Sequence, residues 1–155
     1  MQNMNTFSGT LELTAYKKPL PERTSLCLFN GNELIFSVYG KWLMPLFEAE
    51  KFLADYEAKH GKPENLCVHD TSAGKAAVLL MFRLGAKYIH ADLMSELAVD
   101  FAECLNRKYP EKQMQVSFGR TVPRLLCQTE TFFEKIEDEG FMYANLRQRA
   151  GLEDF

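Results

Sequence analysis

The sequence predicts an α/β fold: one mixed five-stranded sheet with helices packed on it, in the element order ββαβαβαβα. Three observations predict it. Two apolar runs, residues 25–29 and 34–38, flank Asn30-Gly31-Asn32-Glu33, and Asn-Gly between such runs is a strong hairpin signal because both residues tolerate positive φ. Downstream, short apolar runs alternate with stretches of helical periodicity. Between them, residues 65–84 read as a short apolar strand (66–68), a polar turn (69–74) and a helix that is apolar almost all round. A strand feeding such a helix is half of an α/β unit.

The remaining elements follow in order. Residues 1–24 read as an arm, in which Leu11, Leu13 and Ala15 alternate as in a short edge strand, followed by the stiff polar linker 17–22. Gly40 frees the backbone and Pro45 suits a first helical position. Leu46, Phe47, Leu53 and Tyr56 then recur on one face opposite Glu48, Lys51, Asp55 and Lys59, which makes an amphipathic helix. Gly61, in the left-handed cap position, and Pro63 end it. Gly85 stops the apolar helix, and residues 87–91 form a strand. Residues 92–95 supply a cap, and Leu97, Phe101, Ala102 and Leu105 give the next helix its buried stripe, closed by Tyr109-Pro110. Met114, Val116 and Phe118 alternate with polar residues in a fifth strand, and residues 119–127 are a turn and loop. Thr131 and Glu134 form a capping-box signature for a helix to about Glu139, and the tail from Phe141 holds room for one more short helix. The expected organisation is thus an arm (1–24), an α/β domain (25–140) and a tail (141–155).

At 155 residues the chain is long enough to bury a core in one domain. Eighteen basic against 21 acidic residues give a formal charge of −3, which is no electrostatic footprint for nucleic acid. No apolar run is long enough to span a bilayer, and residues 1–10 lack the basic start and apolar segment of a secretory signal. Cys27, Cys67, Cys104 and Cys127 are widely spaced, as expected of free thiols in a reducing, cytoplasmic setting.

Ligands in α/β proteins gather at the carboxyl ends of strands and against helix N-termini, which is where His69, Asp70, Ser72 and Lys75 fall. Lys75 is the sharpest signal. A cation in the first turn of a helix opposes the macrodipole, so a carboxylate such as Asp70 or a bound anion must answer it. Gly74, Ala76 and Ala77 let another backbone or ligand approach closely. A Walker P-loop is excluded, because His69 stands where its first glycine belongs and Ala76 where its magnesium-binding hydroxyl belongs. His69 and Asp70 point to opposite sides of an extended chain, so one faces a crevice and the other packs or caps. Cys127 and Glu130 share one face at a helix start, and Ser95 opens another helix as cap or ligand contact. His60, His69, His90 and the cysteines lack zinc-ligand spacing, so no metal site and no cofactor are expected.

Asp70-Thr-Ser-Ala-Gly74-Lys75-Ala76-Ala77, Ser95 opening the next helix, Val122-Pro123 and Cys127-Gln128-Thr129-Glu130 together resemble a family of small uncharacterised prokaryotic domains. The match covers residues 25–139, with Gly40 and Pro45-Leu46 echoing that family's Gly-x-x-Pro-Leu element. Two extra residues separate Gly40 from Pro45 here, and Gln128 replaces the proline of a Cys-Pro-x-Glu element. The resemblance implies a cytidine-deaminase-like three-layer sandwich, with helices on both faces of the sheet and no zinc site. Zinc deaminases carry His-x-Glu at one helix start and Pro-Cys-x-x-Cys at the next. The corresponding helix starts here, around residues 70–75 and 92–95, hold neither.

The expected function is therefore binding of a small anionic or nucleotide-like ligand at the turn of residues 70–75. Lys75 and the amides near Gly74 would take the anion, and Asp70, Ser72, Ser95, Cys127 and Glu130 would supply the other contacts. The alternatives are a metal-free enzyme using Asp70, Lys75 and Glu130, and a homo-oligomeric interaction module using the hairpin edge and Phe132, Phe133, Phe141 and Tyr143.

Overall fold

The computed structural model describes residues 12–152. The predicted hairpin is β1 (Leu26–Asn30) and β2 (Glu33–Val38), with Asn30 opposite Glu33. Its turn is Gly31-Asn32, in which only Gly31 takes positive φ (65°). Asn32 instead pins the arm: its Oδ1 accepts from the Thr14 and Ala15 amides, and its Nδ2 donates to the Glu12 carbonyl. The arm therefore turns through a short 3-10 helix at Ala15–Lys17, where an edge strand was expected, and it buries Tyr16. Leu11, part of that expectation, lies outside the described residues.

Pro45 sits in the first turn of α1 (Met44–His60), and Gly61 follows with positive φ but extended ψ (79°, 176°), not in the left-handed helical cap. Next come β3 (Leu66–Ala73), α2 (Lys75–Leu84) with Gly85 in the left-handed cap, β4 (Tyr88–Ser95), α3 (Glu96–Lys108) and β5 (Gln115–Val122). All three strands run several residues past their apolar cores. Parallel pairing carries them on: Ser72 lies opposite Leu93, and Met94 opposite both Ala73 and Thr121. Backbone hydrogen bonding is indifferent to the polar side chains that end the apolar pattern.

The capping box at Thr131 and Glu134 does not form. The helix starts earlier, as α4 (Gln128–Phe133); Thr131 donates to the Cys127 carbonyl, and Glu134 is clamped by both guanidinium nitrogens of Arg124. The last helix, α5 (Glu139–Arg149), is capped by Asp138, whose carboxylate accepts from the Phe141 amide.

The sheet order is β2-β1-β3-β4-β5, antiparallel across β1 and parallel from β3 to β5. The crossovers through α1, α2 and α3 step the same way along the sheet, and one handedness puts all three helices on one face. There Leu26, Leu28, Val68 and Ile89 share a core with Leu46, Leu79, Ala102 and Leu146. Helix α2 touches the other four α-helices, with the sheet beneath it and α4 and α5 over it, so it is apolar all round because it is buried all round. The layers run sheet, helix, helix. Among the described residues the second face of the sheet carries only the 3-10 turn, not the helical layer expected there. Among them, too, no helix is long and apolar enough to cross a membrane.

Candidate functional site

The carboxyl half of β3 and the starts of α1, α2 and α4 enclose a cavity of about 320 Å³. Asp70 and Ser72, alternate residues on one face of β3, point into it. Gly74 forms its edge, and Glu130 and Cys127 close the side under α4. These are five of the residues singled out from the sequence. Its other walls are mostly apolar, among them Leu43, Pro45, Ala77 and Leu125.

Two contributors carried weaker signals. Trp42, the only tryptophan, lies in the loop between Gly40 and Pro45. It takes positive φ (57°) and lines the cavity, its indole N–H donating to Thr129 Oγ1 at 3.0 Å. A non-glycine residue held at positive φ is costly, and such residues concentrate at functional sites.

Asp70 is the titratable group of the cavity. Desolvation pushes its carboxyl up to about 7; the Thr71 and Ser72 backbone amides pull it down, and the charge of Asp92 adds to the rise. Its neighbour His69 faces the opposite side of the sheet and is almost fully buried, with Nε2 2.8 Å from Asp92 Oδ1. The alternation expected of the His-Asp pair is what the strand delivers.

The negative charge that answers the start of α2 belongs to Glu130. Its Oε1 accepts from the Lys75 backbone N–H at 2.9 Å, and its Oε2 accepts from the Leu125 N–H at 3.1 Å. The residue is 2% exposed. Gly74 is required by this arrangement for space, since a Cβ there would stand 2.6 Å from Oε1. The Lys75 ammonium turns the other way, into protein, donating to the carbonyls of Phe133 (3.0 Å), Ile136 (2.7 Å) and Glu134 (3.4 Å). Those carbonyls are at the C-terminal, negative end of α4. Burial lowers the lysine pKa, while nearby acidic charges, Glu137 first, push back. The two helices thus exchange charges: α4 gives a carboxylate to the start of α2, and α2 gives an ammonium to the end of α4. Lys75 does not line the cavity; it touches the lining through the bond from its backbone N–H to Glu130.

Ser95 is fully buried outside the cavity and caps α3, its Oγ accepting from the Ala98 N–H at 3.0 Å. Of the aromatic residues considered for an interface, Phe133 belongs to the core and Tyr143 bonds Glu50, while Phe132 and Phe141 are exposed. Three ligand-type side chains that no sequence spacing linked, His69, His90 and Asp92, meet on the second face of the sheet.

No protein-family model matches the sequence, and no curated protein matches it either. Among solved structures the chain is similar to a DUF1893 family protein, TM1506, from Thermotoga maritima. The two are 22% identical and superpose with a TM-score of 0.64 over 81% of this chain and 80% of that one. The similarity shows a shared α/β fold, in a protein whose family is defined as a domain of unknown function.

Proposed function

We propose that this chain is a deaminase-like domain without the deaminase zinc ligands, and that its cavity binds a small, neutral, planar heterocycle of the nucleobase or nucleoside class. One observation carries the reading. Among the described residues the lining holds two carboxyl groups, Asp70 and Glu130, hydroxyls of Ser72 and Thr129 and an indole, but no lysine, arginine or histidine side chain. An anion entering it would meet two acidic groups and no cation. A heterocycle with adjacent donor and acceptor atoms instead finds a protonatable carboxyl beside apolar walls, the usual composition of a small-molecule site. Of the two ligand classes expected at this turn, the nucleotide-like one is retained through its base, and the anionic part loses its lysine. A second, enzymatic reading rests on Asp70 alone: a carboxyl titrating near 7 is suited to exchange protons at neutral pH.

Thermal-shift measurements with the common nucleosides and their 5′-monophosphates test the proposal. A nucleoside at ten times its Kd adds about 1.4 kcal/mol and raises the unfolding midpoint by about 4 °C, and Trp42→Ala is expected to reduce that rise. A flat response to every nucleoside, or a response to inorganic phosphate alone, contradicts it.

A further inference from the structure

The second face of the sheet, away from the helices, carries a cluster of ligand-type side chains that the cavity does not use. β3 and β4 pair in parallel with His69 directly opposite His90, and Asp92 follows two residues along the same face of β4. One ring nitrogen of each histidine and one Asp92 oxygen lie within 4.8 Å of one another. The two imidazoles meet edge to face with centroids 4.8 Å apart.

We propose that His69, His90 and Asp92 form a binding site for a divalent first-row transition cation of the zinc class. Two imidazoles and a carboxylate are the mixed nitrogen and oxygen set that such cations take, whereas calcium and magnesium prefer oxygen throughout. Three protein ligands leave a coordination position free. Asp92, with its side chain 52% exposed, opens the site to the water that would fill it, while buried His69 fixes the inner side. The surroundings orient the donors. Ser117 Oγ on β5 lies 2.8 Å from His90 Nδ1 and 3.4 Å from the Ile89 carbonyl, so it holds the Nδ1 side of the ring. A hydrogen-bonded partner behind a histidine is the usual support of a metal-ligating imidazole. His69 and His90 stand on paired β-backbone and Asp92 lies within β4, so the scaffold is rigid.

The site lies on the face of β3 opposite the cavity, so its success or failure is separate from that of nucleoside binding. The test is calorimetric titration of Zn²⁺ into the chelator-treated full chain, repeated with Co²⁺ and followed by visible absorption. Expected are one equivalent of bound metal and a loss of affinity of about tenfold or more in both His90→Ala and Asp92→Asn. His60→Ala and Cys104→Ser, at exposed positions elsewhere, are expected to bind as the wild type does. Circular dichroism checks folding, and the half-exposed Asp92→Asn decides the matter should His90→Ala fail to fold. Absence of saturable binding, affinity unchanged in Asp92→Asn, or loss of binding in Cys104→Ser would overturn the proposal.

Discussion

Helices α2 and α3 begin side by side, at the ends of neighbouring parallel strands, and solve the same problem differently. The first amides of a helix have no partner within it. At α3, Ser95 takes the Ala98 amide with its own side chain, three residues away, and Glu96 adds a negative charge to the first turn. Helix α2 has no capping side chain and no acid in its first turn. Its first amide is taken by Glu130, 55 residues downstream, which lines the cavity. A locally capped helix start is a finished piece of architecture. One that depends on a distant carboxylate ties together β3, α2, the Leu125 loop and α4, and places a buried charged group where a ligand can reach it.

That contrast can be broken at its strongest point first. Glu130→Ala removes the acceptor of the buried Lys75 amide and of the half-buried Leu125 amide and is expected to cost about 3 kcal/mol in denaturant unfolding. Hydrogen exchange should then quicken at the Lys75 and Leu125 amides and not at Ala98. Uniform quickening at all three would mean that Glu130 stabilises the fold globally and not the start of α2. Gly74→Ala leaves the carboxylate in place but pushes a methyl group to within 2.6 Å of it, and the forced displacement is expected to cost about 2 kcal/mol. It should also impair ligand binding, since the displaced group is a cavity wall. Ser95→Ala is the mildest change: loss of one local cap costs about 1 kcal/mol and leaves ligand binding unaltered. A binding defect in Ser95→Ala would return that residue to the site.

The same contrast marks what the sequence could tell. Ser95 followed by an amphipathic run is a local signal, and the cap was readable. So were the hairpin and the order of helices and strands; the carboxylate or anion expected to answer the Lys75 amine is replaced by three backbone carbonyls. Glu130 was recognisable as a crevice residue, but nothing in the spacing joined it to a helix start 55 positions earlier. The lysine marked the right turn for an incomplete reason: its amide binds Glu130, a wall of the cavity, while its amine serves the end of α4. Strand ends were underestimated because Asp70 and Ser72 face a cavity and so break the apolar pattern without breaking the strand. His69, His90 and Asp92 come together through strand pairing, which leaves no fixed sequence interval. Helices on both faces were an implication of resemblance, and the common direction of the three crossovers excludes it for α1, α2 and α3.

The most direct test of the cavity as a nucleoside site uses the proton on Asp70. With a carboxyl titrating at about 7 in the folded protein against 3.8 ordinarily, the folded state binds the extra proton between about pH 4 and 7. Stability of the free protein therefore falls as pH rises through that window, and Asp70→Asn flattens the fall. A neutral carboxyl offers a heterocycle both a donor and an acceptor; a carboxylate offers acceptors only. Calorimetric titration of cytidine at pH 6 and pH 8 should accordingly show binding about tenfold tighter at pH 6, the ratio of protonated fractions, and no such difference in Asp70→Asn. Equal affinity at the two pH values in the wild type, or a pH dependence that survives in Asp70→Asn, would contradict the account.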